Sequence, residues 1–385
     1  MLGEAVSKQR LWFFDNLRAF IVLLVVVFHV GMGYTTWSLS WWYVNDSQQN
    51  KVFDWFILST DVYMMPVLFF IAGYFALPAL LQKGMAAFWR GKLRRIVLPW
   101  LVGAVLIAPL IAYSAIFSRT AAPPDYFAFW AHDFWGPYWQ QAHYWFLEVL
   151  ALFYLFFAVV YKLSPSYFKA GPDPGLPAAW FLPLFAVFSG MPFFVANLFF
   201  WSDLWLPIKP VLMIQPVRIG LYACYFGLGI YAWKKAWFTA GGYRPRLLIW
   251  GSAAVAMLVV FTAYRVTYTL TPNIPVLYKA GHALAYAFFS LTATFGFIAL
   301  FQKLADSDAY LWRRLAANSY TIYFIHQCVV IPVAYTVQKV QMNIWVKYAG
   351  VSAVVVVLCF LIAEYVIRPV LSGRRGGGAE GIFRG

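Results

Sequence analysis

Residues 18–29 read Arg-Ala-Phe-Ile-Val-Leu-Leu-Val-Val-Val-Phe-His, an apolar run with one ionisable side chain at each end. Eleven residues at about 100° each make about three helical turns, so Arg18 and His29 lie along one face, about 16 Å apart along the axis. If the run crosses a bilayer, Arg18 lies near one surface and His29 near the middle. An ionisable group at that depth is energetically unfavourable and marks a substrate or proton path.

The composition indicates that this run is one of several membrane spans. The 385 residues are 63% hydrophobic, 21% aromatic and only 11% charged, which excludes an ordinary soluble domain of this size. We therefore predict an all-α, polytopic membrane protein. Its single bundle has about ten transmembrane helices, at residues 17–37, 52–77, 96–117, 144–163, 177–197, 211–233, 247–270, 281–301, 318–338 and 346–367.

The distribution of lysine and arginine predicts the orientation. Most of these residues fall in the N-terminal segment and in every second connection, and basic loops stay on the cytoplasmic side. Both termini are therefore predicted to be cytoplasmic, which requires an even number of spans. The net charge of +15 follows from this asymmetry and from attraction to anionic membrane lipids, so it does not indicate a nucleic-acid partner.

The chain divides into a transmembrane domain, residues 1–371, and a Gly/Arg-rich cytoplasmic tail, residues 372–385. The tail has too few apolar residues to pack and is predicted to be disordered. The three cysteines, Cys224, Cys328 and Cys359, lie inside predicted spans. We therefore expect no disulfide framework and no metal site.

Four segments carry a family resemblance. In the first, Phe14-Asp15-Asn16-Leu17 precedes Arg18, and ten residues separate Arg18 from His29; the others are Phe69-Phe70-Ile71-Ala72-Gly73-Tyr74-Phe75, His143-Tyr144-Trp145-Phe146-Leu147 and Ser319-Tyr320-Thr321-Ile322-Tyr323-Phe324-Ile325-His326. In this order, over nearly the whole chain, they resemble the acyltransferase-3 family of membrane O-acyltransferases. The length, and the expected absence of an appended extracytoplasmic domain, resemble the branch that contains periplasmic-glucan succinyl and acetyl transferases.

The resemblance implies an enzyme of a bacterial cytoplasmic membrane that moves an acyl group, acetyl or succinyl, from cytoplasmic acyl-CoA to a hydroxyl of an extracytoplasmic glycan or other carbohydrate. Acyl-CoA enters as the donor substrate, and no bound cofactor is implied. Since arginine and lysine bind phosphate groups well, we expect CoA to contact a basic cluster at the inner surface. Its members are Arg18, Arg90, Lys92, Arg94 and Arg95.

His29 is the candidate catalytic base. The implied reaction requires that a proton leave the acceptor hydroxyl while its oxygen attacks the thioester carbonyl, and imidazole suits this because its unperturbed pKa is near neutrality. A covalent acyl-imidazole intermediate is an alternative route, and a histidine that only fixes helix packing is the non-catalytic alternative. Asp15, three residues before Arg18, is placed to hold the guanidinium.

His326 is a second catalytic candidate. It lies eight residues into its predicted span, so its depth is within about one turn of His29 and both can face one cavity. Tyr320 and Tyr323 share its helix face and offer hydroxyl donors to the reacting carbonyl or to the arm of the donor. A polar seam between helices is the alternative for this stripe.

Two carboxylates and three outer residues complete the candidate site. We expect Asp61 and Glu148 either to assist the histidines or to pair with buried arginines. His143, Trp145 and Arg218 are candidates for binding the acceptor. For these three, anchoring at the membrane interface or, in the case of Arg218, extension of the side chain toward water is the alternative.

A proton-coupled transporter, or a flippase of a sugar or lipid-linked glycan, is the main alternative function, because both need ionisable groups within the membrane. Such transporters have broken helices in two matched halves, whereas Gly and Pro are scattered here without that symmetry. A catalytically inactive scaffold is a third class, and the presence of both Arg18 and His29 argues against it. The sequence indicates no particular oligomeric state.

Overall fold

The computed structural model describes residues 10–37, 42–169, 173–208, 212–239, 241–270 and 274–373, which are mostly helical. The α-helices are α1 (Trp12–Met32), α2 (Lys51–Lys92), α3 (Leu98–Val102), α4 (Ala108–Phe117), α5 (Tyr126–Ala128), α6 (Trp145–Leu163), α7 (Pro165–Lys169), α8 (Phe181–Phe199), α9 (Pro216–Lys234), α10 (Leu247–Leu270), α11 (Val276–Leu304), α12 (Tyr310–Val337), α13 (Ile344–Leu361) and α14 (Arg368–Gly373). The strands are β1 (Leu206–Ile208) and β2 (Leu212–Ile214). Helical turns of other types are the π-helical turns Leu93–Val97, Gly103–Ile107, Phe129–Asp133 and Ile362–Ile367 and the 3₁₀ turn Ala142–Tyr144.

The helices confirm the membrane-protein class. Within the described residues, eight helical segments are long and apolar enough to cross a membrane. One of them, Lys51–Phe117, has 67 residues and contains two of the ten predicted spans, while α9, which overlaps a third, is not among the eight. The number of crossings and the cytoplasmic placement of both termini therefore stay predictions.

Large apolar side chains on α10 show how the bundle meets its surroundings. Leu248, Val255 and Val259 are 84%, 65% and 66% exposed, and only 6% of the apolar window of this helix is buried inside the protein. A water-soluble protein rarely exposes so continuous an apolar face. Hydrocarbon chains of a bilayer cover such a face without penalty.

A short pair of strands lies in one connection of the otherwise helical structure. β1 and β2 pair antiparallel, with Leu206 opposite Ile214, in the connection between α8 and α9. The predicted span 211–233 included residues 212–214, which are extended instead. Pro216 lies at the start of α9 and disfavours helical conformation in the residue before it, so the helix begins there.

The centre of the bundle is formed by α1, which packs against α2, α11, α12 and α13. Glycine residues allow α2 and α9 to pack closely. A Cβ atom at Gly73 would overlap the carbonyl of Phe226, and one at Gly229 would overlap the carbonyl of Phe70. The close backbone approach therefore requires glycine in the segment Phe69–Phe75, as is typical of helix pairs in membranes.

α2 is interrupted at Gly84, whose φ of 72° is left-handed. The chain then continues as helix through Lys92 and into the π-helical turn Leu93–Val97. Arg94 and Arg95 lie in that turn. The break and the turn together place the predicted CoA-binding residues 90–95 at the end of α2 distant from its start at Lys51. The predicted disordered tail lies, from residue 374 onward, outside the described residues, and the domain boundary at 371 stays a prediction.

Candidate active site

His29 and His326 are brought into direct contact by the packing of α1 against α12. His29 Nδ1 lies 3.2 Å from His326 Nε2, and the ring centroids are 4.8 Å apart. α1 begins at Trp12 and ends at Met32, so His29 lies in the last turn of the helix. Its depth near the middle of the bilayer stays a prediction.

Backbone carbonyls assign the protons of the two rings. His29 Nδ1 is 2.7 Å from the Val25 carbonyl, and His326 Nδ1 is 2.6 Å from the Tyr323 carbonyl. A carbonyl only accepts, so each Nδ1 carries the hydrogen. His326 Nε2 then accepts from the Nδ1–H of His29, and His29 Nε2 keeps its lone pair without a hydrogen-bond partner among the described residues. His29 Nε2 is therefore the nitrogen that can accept a proton from a substrate.

His143 joins this pair. It lies in the 3₁₀ turn before α6 and is buried, and its ring centroid is 4.3 Å from that of His326. His143 Nε2 donates to the Phe324 carbonyl at 3.1 Å, Tyr144 Oη donates to the same carbonyl at 2.8 Å, and Tyr323 Oη donates to the His143 carbonyl. His143 was predicted to bind the acceptor; the structure places it against His326 and α12.

Arg18 lies in the second turn of α1, and its side chain is held as the sequence predicted. Its Nη2 is 3.1 Å from Asp15 Oδ1, and Asp15 also contacts Arg10 at 3.0 Å. The Arg18 side chain remains more than one third exposed. It is therefore oriented by Asp15 yet accessible to an anionic ligand.

The other predicted donor-binding residues lie at the end of α2 and in the following π-helical turn. Lys92 Nζ is 3.7 Å from the ring centroid of Tyr154, a ring that is also within electrostatic range of Arg18. Lys92 and Arg95 act on each other electrostatically. The side chains of Arg90, Arg94 and Arg95 are exposed. We call Arg18, Arg90, Lys92, Arg94 and Arg95 the basic cluster.

One face of α12 connects the basic cluster to the histidines. Tyr320 Oη donates to the Arg95 carbonyl at 2.6 Å, Tyr323 Oη reaches the His143 carbonyl, and His326 contacts His29. These three residues recur at three-residue steps, as the sequence predicted. The stripe thus runs from the basic cluster to the catalytic candidates.

A small pocket opens beside His29 at the C-terminal end of α1. Its polar lining comes from His29, Tyr34 and Asp46, and its apolar lining includes Trp42 and Ile331. The Trp42 ring stacks on the His29 ring with centroids 5.7 Å apart. Sequence reasoning missed Trp42 and Asp46 as site residues. The available signal was the cluster of aromatic residues that directly follows the first span.

Four predicted site residues are held in other interactions. Glu148 accepts from the Met213 backbone N–H at 3.1 Å, which ties α6 to β2. The Trp145 ring packs against that of Trp205, with centroids 5.1 Å apart. Asp61 and Arg218 form an ion pair with each other. Among the described contacts, none of these four reaches His29 or His326.

The Asp61–Arg218 pair belongs to a partly buried charge network at the connection between α8 and α9. Arg218 also contacts Asp203 at 2.7 Å, and Asp203 contacts Arg265, whose Nη1 donates to Ser202 at 2.9 Å. Although burial opposes ionisation of the Asp203 carboxyl, the guanidinium groups of Arg265 and Arg218 hold its pKa below the ordinary value. Of the two alternatives given for Asp61 from the sequence, the structure therefore shows the pairing with a buried arginine.

Within the described part of the chain, no three His, Cys, Asp or Glu side chains are grouped so that they could hold a metal ion. The three histidines instead bond to carbonyls and to each other. The chemistry available here is that of imidazole bases, a cationic cluster and a partly apolar pocket.

Comparison with known proteins identifies the family. A family model described as an acyltransferase domain, that of the acyltransferase-3 family, matches residues 11–364. Proteins named Glucans biosynthesis protein C from Salmonella paratyphi B, Salmonella heidelberg and Salmonella enteritidis are each 28% identical over 155 residues, which is 39% of this chain and 38% of theirs. The match thus spans about two fifths of the length of these curated relatives. No solved structure matches.

Proposed function

Because this chain belongs to the acyltransferase-3 family, we propose that it transfers an acyl group from cytoplasmic acyl-CoA to a hydroxyl of an extracytoplasmic carbohydrate. The acyl group is acetyl or succinyl, and the protein works in the cytoplasmic membrane of a bacterium. The observation that carries the proposal is the His29–His326 pair, which lies between the basic cluster and the pocket. The printed name of the relatives, which concerns glucan biosynthesis, supports a carbohydrate acceptor.

The donor end of the proposed path is the basic cluster. The phosphates of CoA pair with Arg18, Lys92 and Arg95, and arginine presents a fork of N–H donors that fits phosphate oxygens. About 16 Å of helix separates Arg18 from His29. The pantetheine arm spans this distance along the face of α12 that carries Tyr320 and Tyr323, so that the thioester reaches the histidines.

The transfer step uses the assigned tautomers. His29 Nε2 takes the proton of the acceptor hydroxyl, and the hydroxyl oxygen forms a bond to the thioester carbonyl carbon. The carbon–sulfur bond then breaks, and the departing sulfur takes the proton from His29. The products are the carbohydrate ester and free CoA. His326 acts as a positioning residue, since its Nε2 accepts from His29 Nδ1–H and stabilises the positive charge that develops on that ring.

The test is CoA release and ester formation by the purified protein in lipid nanodiscs, with acetyl-CoA or succinyl-CoA and candidate glycans. We expect His29→Ala to lose release by at least about 100-fold, the lower range for removal of a general base. Arg18→Ala is expected to raise the KM for acyl-CoA with a smaller effect on kcat. Arg246→Ala, which removes an exposed arginine outside the basic cluster, is the matched control.

A folded wild type that neither binds nor consumes acyl-CoA would refute the proposal. The same preparation would then be reconstituted into vesicles and tested for flux of labelled glycan. Flux without acyl transfer would identify the transporter or flippase that the intramembrane ionisable groups also allow.

A further inference from the structure

We propose that the protein has a second activity, the hydrolysis of its acyl-CoA donor, in which one water molecule in the pocket beside His29 takes the place of the acceptor hydroxyl. This inference rests on the proposed function, because it uses the same donor and the same base. It goes beyond that function because the products are a free carboxylic acid and CoA, and no carbohydrate takes part.

The size of the pocket favours water as the nucleophile. The pocket has room for about one water molecule. Its apolar walls are formed by Trp42 and by the aliphatic side chains of Val30, Val44, Val330, Ile331 and Ala334. Water therefore fits without any rearrangement of these walls, whereas a carbohydrate can place at most a hydroxyl group there. In the absence of an acceptor, water is the nucleophile that the pocket admits.

His29 is the member of the three-histidine group that a small molecule can reach. His143 and His326 are only 3% and 0% exposed, whereas His29 is partly exposed and lines the pocket. The Nδ1 atom of His29 is occupied by the Val25 carbonyl at 2.7 Å and by His326 at 3.2 Å. A water molecule in the pocket therefore meets the lone pair of His29 Nε2.

The polar lining of the pocket supplies the partners that a buried water needs, which number about two to four. Water can donate one hydrogen to His29 Nε2 and the other to the Asp46 carboxylate, since both residues line the pocket. Lys347 and the Gln48 N–H hold that carboxylate at 2.6 and 2.9 Å, so it is fixed as an acceptor. Tyr34 is a third polar residue of the lining. The pocket can therefore hold a water molecule against the base.

The hydrolytic step follows the course of the transfer step. His29 Nε2 takes one proton from the water while the water oxygen forms a bond to the thioester carbonyl carbon. The carbon–sulfur bond then breaks, and the departing sulfur takes the proton from His29. The second hydrogen of the water stays on the oxygen that becomes part of the acid. One acyl-CoA and one water thus give one carboxylic acid and one CoA.

The test uses purified protein in lipid nanodiscs with acetyl-CoA or succinyl-CoA and without any glycan. We expect wild type to release free acid and CoA in equal amounts, and His29→Ala to lower this rate at least about 100-fold. Ala334→Leu fills the pocket and should lower the rate at least about fivefold, because a water molecule no longer fits without overpacking. Ala353→Leu places the same side chain on the exposed face of α13 and is the matched control.

Ala334→Val is a milder variant that should show a smaller loss of acid formation, with Ala353→Val as its control. The affinity for acyl-CoA, measured separately, should stay at the wild-type value in both Ala334 variants, because the pocket lies at the end of α1 opposite to the basic cluster. Thermal unfolding checks that each variant is folded.

Three results would overturn the inference while the proposed function stands. The first is a wild type that binds acyl-CoA and esterifies a glycan but forms no acid when glycan is absent. The second is acid formation at the wild-type rate by folded Ala334→Leu and Ala334→Val. The third is acid formation that survives His29→Ala although ester formation is lost.

Two other results bear on the proposed function itself. Absence of acyl-CoA binding by the folded wild type would refute it, and the hydrolysis with it. Acid formation that depends on His29 and on an open pocket, without esterification of any glycan, would instead support hydrolysis and contradict the proposed transfer.

Discussion

The contact between His29 and His326 predicts unequal roles for two residues that look equivalent. We expect His29→Ala to lower kcat by about 10²–10⁴-fold, because the base that takes the acceptor proton is removed. His326→Ala removes one of two acceptors of the His29 Nδ1–H, and the Val25 carbonyl at 2.7 Å remains. One hydrogen bond contributes about 0.5–1.5 kcal/mol, which corresponds to a loss of only about 2- to 12-fold.

The assay is single-turnover ester formation by folded protein in nanodiscs, which isolates the chemical step from product release. His326→Gln keeps an oxygen that can accept from His29 and should recover part of the loss of His326→Ala. The double variant His29→Ala with His326→Ala should be no slower than His29→Ala, because a positioning residue acts only through the base that it positions. His282→Ala, at another buried histidine that packs against Phe193 and Phe261, is the control.

A loss of about 100-fold or more in folded His326→Ala, with further loss in the double variant, would refute this reasoning. His326 would then itself touch the reacting groups, and the proton assignment from the two carbonyls would be incorrect. Full activity of His29→Ala would refute the assignment of the base.

Three further outcomes are expected. Gly73→Ala should lower the free energy of unfolding by about 1–3 kcal/mol, because its Cβ overlaps a backbone carbonyl. Gly227→Ala, in open space on α9, should leave the free energy of unfolding unchanged. Equal thermal denaturation of the two variants would contradict this prediction. Glu148→Gln should keep ester formation within a few fold and reduce thermal stability, since Glu148 ties β2 to α6; a loss as large as that of His29→Ala would restore a catalytic role. The stability difference between wild type and Asp203→Asn should be constant from pH 7 to 5 and shrink below about pH 4, because the lowered pKa of Asp203 contributes stability that is lost only as the carboxylate protonates; loss already near pH 6 in a thermal-unfolding series would point to another group.

The helical architecture was accessible from sequence because apolar length is a local property. Each predicted span overlaps a helix of the structure. The Asp15–Arg18 contact was predictable for the same reason, since a three-residue separation fixes its geometry on one helix. The contact between His29 and His326 agrees with the similar depth that was predicted for them in two spans predicted to enter from one side.

Other parts of the site depend on long-range packing that periodicity does not encode. Trp42 stacks on His29 and Asp46 lines the same pocket because the Asp46 N–H donates to the Gly33 carbonyl at 2.8 Å, at the end of α1. His143 joins the histidines through a carbonyl of α12, 181 residues away in sequence. The start of α9 was misplaced because the apolar character of β2 outweighed the signal of Pro216.

The π-helical turns Leu93–Val97 and Gly103–Ile107 give the segment Lys51–Phe117 an unusual tolerance for changes in length. Each such turn holds one residue more than an α-helical turn with the same ends. Loss of one residue there would convert the turn to regular helix and leave both flanks in register. The same loss in the middle of α6 would rotate every later side chain by about 100°. Chains that differ by one residue between Leu93 and Ile107 can therefore share this bundle, and alignments of such chains should place their gaps in these two turns.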